Sequence, residues 1–117
     1  MTASDSAAPV YLRLRGLIAQ AILDGSYRDG EQLPSVRALA AQHGANPLTV
    51  AKAYQSLQDD GYVAVRRGVG MFVAVGARER LRADERGRFL RDTWPRLRAE
   101  MTRLGIDPRT LLQAEPA

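Results

Sequence analysis

Residues 33–73 read LPSVRALAAQHGANPLTVAKAYQSLQDDGYVAVRRGVGMFV. The stretch divides into four pieces. Ser35 can cap a helix running from about Ser35 to His43, with Val36, Leu39 and Ala40 on its buried side and Gly44 as its stop. Asn46 followed by Pro47 opens a second helix, because a capping side chain beside a residue without an N–H suits the orphan donors of a helix start. That helix runs from about Pro47 to Asp60 and ends at Gly61. YVAV (62–65) and MFVAV (71–75) are short β-branched runs flanking RRGVG, and they predict a hairpin with a glycine-containing tip. Helix, short turn, helix and hairpin in this order imply a winged helix-turn-helix, mainly α with a small β-hairpin.

Upstream, Tyr11, Leu14, Leu17, Ile18, Ala21 and Ile22 recur at three- and four-residue steps, the period of an amphipathic helix that Gly25 stops. Residues 26–34 read as a loop, and residues 1–8 as a disordered lead-in. Downstream, residues 76–117 form a charged helical tail. Leu90, Trp94, Leu97, Met101 and Leu104 are spaced four, three, four, three, a heptad-like stripe suited to dimerisation. Pro95 interrupts it, so either the helix kinks there or Thr93 caps a fresh helix beginning near Trp94. Gly105 ends that helix, and Asp107 with Pro108 starts a last short one. The expected organisation is a lead-in (1–8), a winged helix-turn-helix domain (9–75) and a helical dimerisation tail (76–117).

Composition narrows the function. The chain has 117 residues, 45% of them hydrophobic, which suffices for one compact domain with an appendage. No apolar run approaches the ~18 residues of a membrane span, and the first residues lack the basic start and apolar centre of a secretory signal, so a cytoplasmic location is expected. With no cysteine, thiolate chemistry and cysteine-ligated zinc are excluded. His43 is the single histidine and stands at a helix C-terminus, where it suits end carbonyls better than a catalytic or metal role. No nucleophile–base pair and no phosphate-loop glycine spacing is present, so neither an enzyme nor a cofactor is expected. The net charge of +4 is compatible with a polyanionic partner. Its distribution does not locate the binding half, however: residues 1–75 carry seven basic and six acidic groups, residues 76–117 ten and seven.

Local placement is more informative. On a helical wheel, Val50, Ala53, Tyr54 and Leu57 share the core face of the second motif helix, while Leu48, Ala51, Lys52 and Gln55 face outward. Lys52 is the only lysine in the chain. In a major groove it can donate to guanine O6 or N7, Gln55 can pair with adenine or a phosphate, and Leu48 can touch a thymine methyl. Asn46 and Thr49, at the helix N-terminus, can bind phosphate or base edges. Arg37 projects beside them from the helix that Ser35 caps. Arg66, Arg67 and Gly70 lie at or near the hairpin tip, where two fork donors and a residue without a side chain suit close approach to a minor groove. Each has a plainer reading: Asn46 only caps, Lys52 is only solvated, Arg37 forms a surface ion pair, and the tip is an exposed turn.

Taken together, PVY, LPSVRALA, NPLTVAKAY and RRGVGMFV resemble the GntR family of bacterial transcription regulators, in particular its YtrA-like branch of short members. The resemblance covers about residues 9–75. Carried over by position, it implies DNA contacts from Ser35, Arg37, Asn46, Leu48, Thr49, Lys52 and Tyr54, and from Arg66, Arg67 and Gly70 in the wing. The pattern departs at Leu48, where a polar residue is frequent, at Lys52, where arginine is frequent, and at Met71, where threonine is usual. Ala51 occupies a position that is often arginine in other branches. The resemblance further implies a homodimeric repressor of a palindromic operator, acting on a transporter-type operon and on its own gene. Residues 76–117 are too few to enclose a typical ligand cavity alone, so no small-molecule effector is assigned. A rival class is a protein-docking winged helix without specific DNA binding.

Overall fold

In the computed structural model the described residues are 9–114, so the expected disordered lead-in, residues 1–8, lies outside them. Helix α1 (Val10–Leu23) turns Leu14, Ile18 and Ile22 inward, matching its three- and four-residue periodicity. Helix α2 (Val36–His43) begins at Ser35, whose Oγ accepts the Ala38 N–H at 3.1 Å. It stops at Gly44, whose left-handed backbone (φ +61°) lets its N–H reach the carbonyls of Ala40 and Ala41. Two residues on, Asn46 Oδ1 accepts the Leu48 N–H at 2.8 Å, and Pro47 opens helix α3 (Pro47–Asp59). Both helix starts are therefore set by the residues that announce them in the sequence.

Helix α3 packs against α1 and α2, and the inward side of that contact holds Val50, Ala53, Tyr54 and Leu57, all with 0% exposure. Truncating one such side chain, Leu57→Ala for instance, removes ~2–5 kcal/mol of stability in a closely packed interior. Strands β1 (Val63–Arg66) and β2 (Gly70–Val73) pair antiparallel, with Val63 opposite Val73 and Arg66 opposite Gly70. Tyr62, Val63 and Val73 join the same core.

The segment expected as a plain loop does more than connect. Gln32 bridges Phe72, the Leu33 N–H bonds to the Met71 carbonyl at 2.8 Å, and the Gly30 N–H bonds to the Val73 carbonyl at 2.8 Å. Residues 30–33 thus lie along the free edge of β2 and satisfy backbone groups that a two-stranded hairpin leaves open. Leu33 is their one core side chain.

Helix α4 (Ala77–Arg88) buries Ala77 and Leu81 in the core. Its first turn is held by Asp29, whose carboxylate accepts the Gly76 N–H at 2.8 Å and the Arg78 N–H at 3.3 Å. The first compact unit reaches Arg82, and residues from Ala83 form a second.

In the second unit Pro95 neither breaks the helix nor leaves Thr93 as a side-chain cap. Thr93 has helical dihedrals (φ −78°, ψ −49°) and makes no cap bond. A π-helical turn over Phe89–Thr93 precedes helix α5 (Trp94–Leu104), and the Trp94 N–H reaches back to the Phe89 carbonyl. Widening the turn accommodates a residue that has no N–H to donate. Helix α5 ends at Gly105, and Asp107 caps helix α6 (Pro108–Gln113) by accepting the Arg109 N–H at 3.0 Å. Among the described residues no helix is long and apolar enough to cross a membrane.

Candidate nucleic-acid interface

With one side of α3 fixed in the core, the opposite side has a defined outward aim. Leu48 is 80% exposed, Lys52 is exposed and Thr49 half-buried. Asn46 spends its side-chain carbonyl on the Leu48 N–H, which leaves its amide N–H groups for an outside acceptor. Ser35 likewise accepts from Ala38 and keeps its hydroxyl proton. Arg37 stands exposed on the first turn of α2. Gln55 is less available than its position suggests, because its Nε2 donates to Asp59 Oδ1 at 2.8 Å.

The cations here are not neutralised by carboxylates: among the described residues Arg37, Lys52, Arg66 and Arg67 take part in no ion pair. Two of them rest on aromatic rings instead. The Lys52 Nζ lies 4.4 Å from the Tyr11 ring centroid, and the Arg66 guanidinium lies 4.4 Å from that of Phe72. A ring attracts a cation without cancelling its charge, so both remain electropositive toward an approaching polyanion.

At the wing tip the Val69 N–H bonds to the Arg66 carbonyl at 2.9 Å and closes the turn. Arg67 and Val69 are exposed there. Gln32 braces the tip from the neighbouring edge, its Nε2 donating to the Val69 carbonyl at 3.1 Å. Gly70 has φ +144°, and a Cβ on it would stand 2.6 Å from that same Nε2. Its missing side chain therefore has a reason inside the fold, whatever the wing touches.

Tyr54 is corrected by the structure. The resemblance implies a DNA contact there, but the ring has 0% exposure and its hydroxyl donates to the Pro34 carbonyl at 2.6 Å. Burial pushes the pKa of that hydroxyl well up, with Tyr27 adding to the shift, so the group stays a protonated donor. Tyr54 ties α3 to the residue preceding the Ser35 cap, which makes it a fold residue. The helical wheel already puts it on the core face.

Nothing in the sequence gives Gln32 a role, and Tyr11 stands there only as part of the amphipathic stripe of α1. Tyr11 has a visible signal, since it continues the α1 core stripe beyond the region that Leu14 closes. Gln32 has none, because a glutamine in a polar segment gives no sign of pairing with a hairpin distant in sequence.

A capped helix pair, an outward recognition face and a braced basic wing define a winged helix-turn-helix DNA-binding protein. The sequence pattern of "Bacterial regulatory proteins, gntR family" matches residues 10–73, more than half of the chain, and the chain belongs to that family. It is 37% identical over 76 residues to the HTH-type transcriptional repressor YtrA of Bacillus subtilis (strain 168), a match covering 65% of this chain and 58% of that protein's own length. Among solved structures it is similar to a GntR family transcriptional regulator from Listeria monocytogenes, with a TM-score of 0.76 at 28% identity over 91% of each chain. The DNA-binding domain of AraR, solved in complex with operator ORR3, is similar over 55% of this chain and 77% of that one, with a TM-score of 0.53 at 28% identity. These relatives are transcriptional regulators, not enzymes.

Proposed function

We propose that the chain is a sequence-specific repressor that binds a roughly palindromic operator as a homodimer in the cytoplasm. The observation that carries this reading is the outward face of α3, where an 80% exposed Leu48 stands with Lys52 and, among the described residues, no carboxylate pairs with the nearby cations. In this reading Leu48, Thr49 and Lys52 meet base edges in the major groove. Ser35, Arg37 and Asn46 position the helix on phosphates, and Arg66 and Arg67 of the wing, with Gly70 beside its turn, follow the adjacent backbone or minor groove. Residues 9–75 carry the DNA contact.

Residues 76–117 carry the assembly. Along α5, Trp94, Leu97, Met101 and Leu104 repeat at three- and four-residue steps, and Leu97 (42%) and Leu104 (66%) stand exposed in the single chain. A second copy of the same stripe covers such a face symmetrically. Leu90, half exposed in the π-helical turn, extends the apolar set. Similarity to the short YtrA-like members extends the reading to a transporter-type operon and to the chain's own gene as targets.

The reading is tested by fluorescence anisotropy on a duplex carrying the chain's own upstream region, with an unrelated duplex of equal length as control. The expected result is ~10³-fold or greater preference for the first, with affinity falling steeply as salt rises. Equal, salt-insensitive binding to both would instead favour a protein-docking surface, for which the exposed Leu48 is the supporting feature.

A further inference from the structure

We infer that Tyr11 is a specificity-positioning residue, its ring holding the Lys52 ammonium in place before DNA arrives; this rests on the reading of Lys52 as a base contact. The stripe of α1 that packs on the core runs from Ile22 through Ile18 and Leu14 in four-residue steps and continues, three residues on, to Tyr11, which is partly buried against that core. The ring is thus a fixed platform at the outer end of a packed row. On α3, Lys52 adjoins the fully buried Ala53, so the base of its stem is equally fixed. Between two anchored backbones, the Nζ comes to rest 4.4 Å from the ring centroid, inside the ~6 Å range of cation–π attraction.

The choice of partner matters for function. A carboxylate at this place would neutralise the cation and occupy its donors. An aromatic face does neither, and the ammonium keeps N–H groups for an external acceptor. A free lysine stem loses substantial rotamer entropy when it docks on a base, and prior stationing on a ring reduces that loss. Arg66 on Phe72, at the same 4.4 Å, shows the same device in the wing.

The test uses the consensus duplex that the native chain selects from random DNA, together with its single-base-pair variants. Lys52→Ala is expected to lose preference at one base pair per half-site. Tyr11→Leu should lower preference at that same pair about two- to tenfold, the range a cation–π contact supports, while Tyr11→Phe keeps it. In the Lys52→Ala background, Tyr11→Leu should then change nothing further at that position. If Lys52→Ala loses the preference but Tyr11→Leu does not, or if Tyr11→Leu weakens all duplexes equally, the positioning role is overturned. If Lys52→Ala itself alters no base preference, the base-contact reading falls and takes this inference with it. Should Tyr11→Leu fail to fold, the native chain still decides: the Lys52 ε-methylene protons should show upfield ring-current shifts in the proton NMR spectrum, and random-coil shifts would contradict the stacking.

Discussion

The Nε2 of Gln32 occupies the space that a side chain on Gly70 would need: a Cβ there would lie 2.6 Å away, while the same nitrogen donates to the Val69 carbonyl at 3.1 Å. A residue ahead of α2 thereby braces the tip of the wing, and the φ of +144° is what requires the glycine, since the exposed Gln32 side chain can move aside. Gly70→Ala should cost ~1–3 kcal/mol of stability, measured by urea denaturation, because an alanine is strained in that backbone region. Adding Gln32→Ala should recover only the steric part of the loss. Unchanged stability in Gly70→Ala would contradict this role.

Tyr54→Phe separates folding from recognition. The hydroxyl bonds to the Pro34 carbonyl at 2.6 Å in the interior, and its removal leaves that acceptor without its partner, a loss of ~1–3 kcal/mol. DNA affinity of the folded variant should be unchanged. Since burial raises the pKa of Tyr54 above its unfolded value, the native state favours the protonated form. Its contribution is complete below the unfolded pKa of about 10 and is lost as pH rises beyond it. The phenylalanine variant should lack that portion of the alkaline decline. Weakened operator binding with unaltered stability would restore Tyr54 as a direct contact.

What the sequence made legible was what local chemistry determines. Ser35, Gly44, Asn46 and Pro47 mark helix ends through their own backbone and side-chain groups, and the outcome matches. The core face of α3 follows from period alone. Gln32 against the wing and Asp29 on the first turn of α4 are long-range pairings of ordinary residues that nothing in their immediate neighbourhood announces; for Tyr11 the α1 period marks the residue but not its pairing with Lys52. At Pro95 the sequence offered a kink or a fresh cap; Thr93 makes no cap bond, and the backbone meets the proline with a wider, π-helical turn that the sequence did not announce. The resemblance placed Tyr54 at the DNA, but packing placed it inside.

For the wing, replacing Arg66 and Arg67 together by alanine should weaken specific and non-specific duplexes alike. It should also flatten the slope of log affinity against log salt by about 0.9 for each phosphate contact removed. Arg66 lies over Phe72, so its replacement should in addition lower hairpin stability slightly, by ~0.5–1 kcal/mol. An unchanged salt slope places the wing away from DNA.

For the tail, Leu97→Asp puts a charge into the middle of the α5 stripe. Sedimentation should show the native chain as a dimer and the variant as a monomer, with operator affinity reduced and the circular dichroism of the winged unit retained. A native chain that sediments as a monomer well above its operator dissociation constant removes the dimer from the account.

Selection of binding sites from random duplex DNA by the native chain tests recognition by a symmetric pair of α3 helices most directly. The account predicts enrichment of two inverted half-sites whose centres lie about one helical turn, ~34 Å, apart. Recovery of no enriched sequence, or of a single unrepeated site, would contradict it.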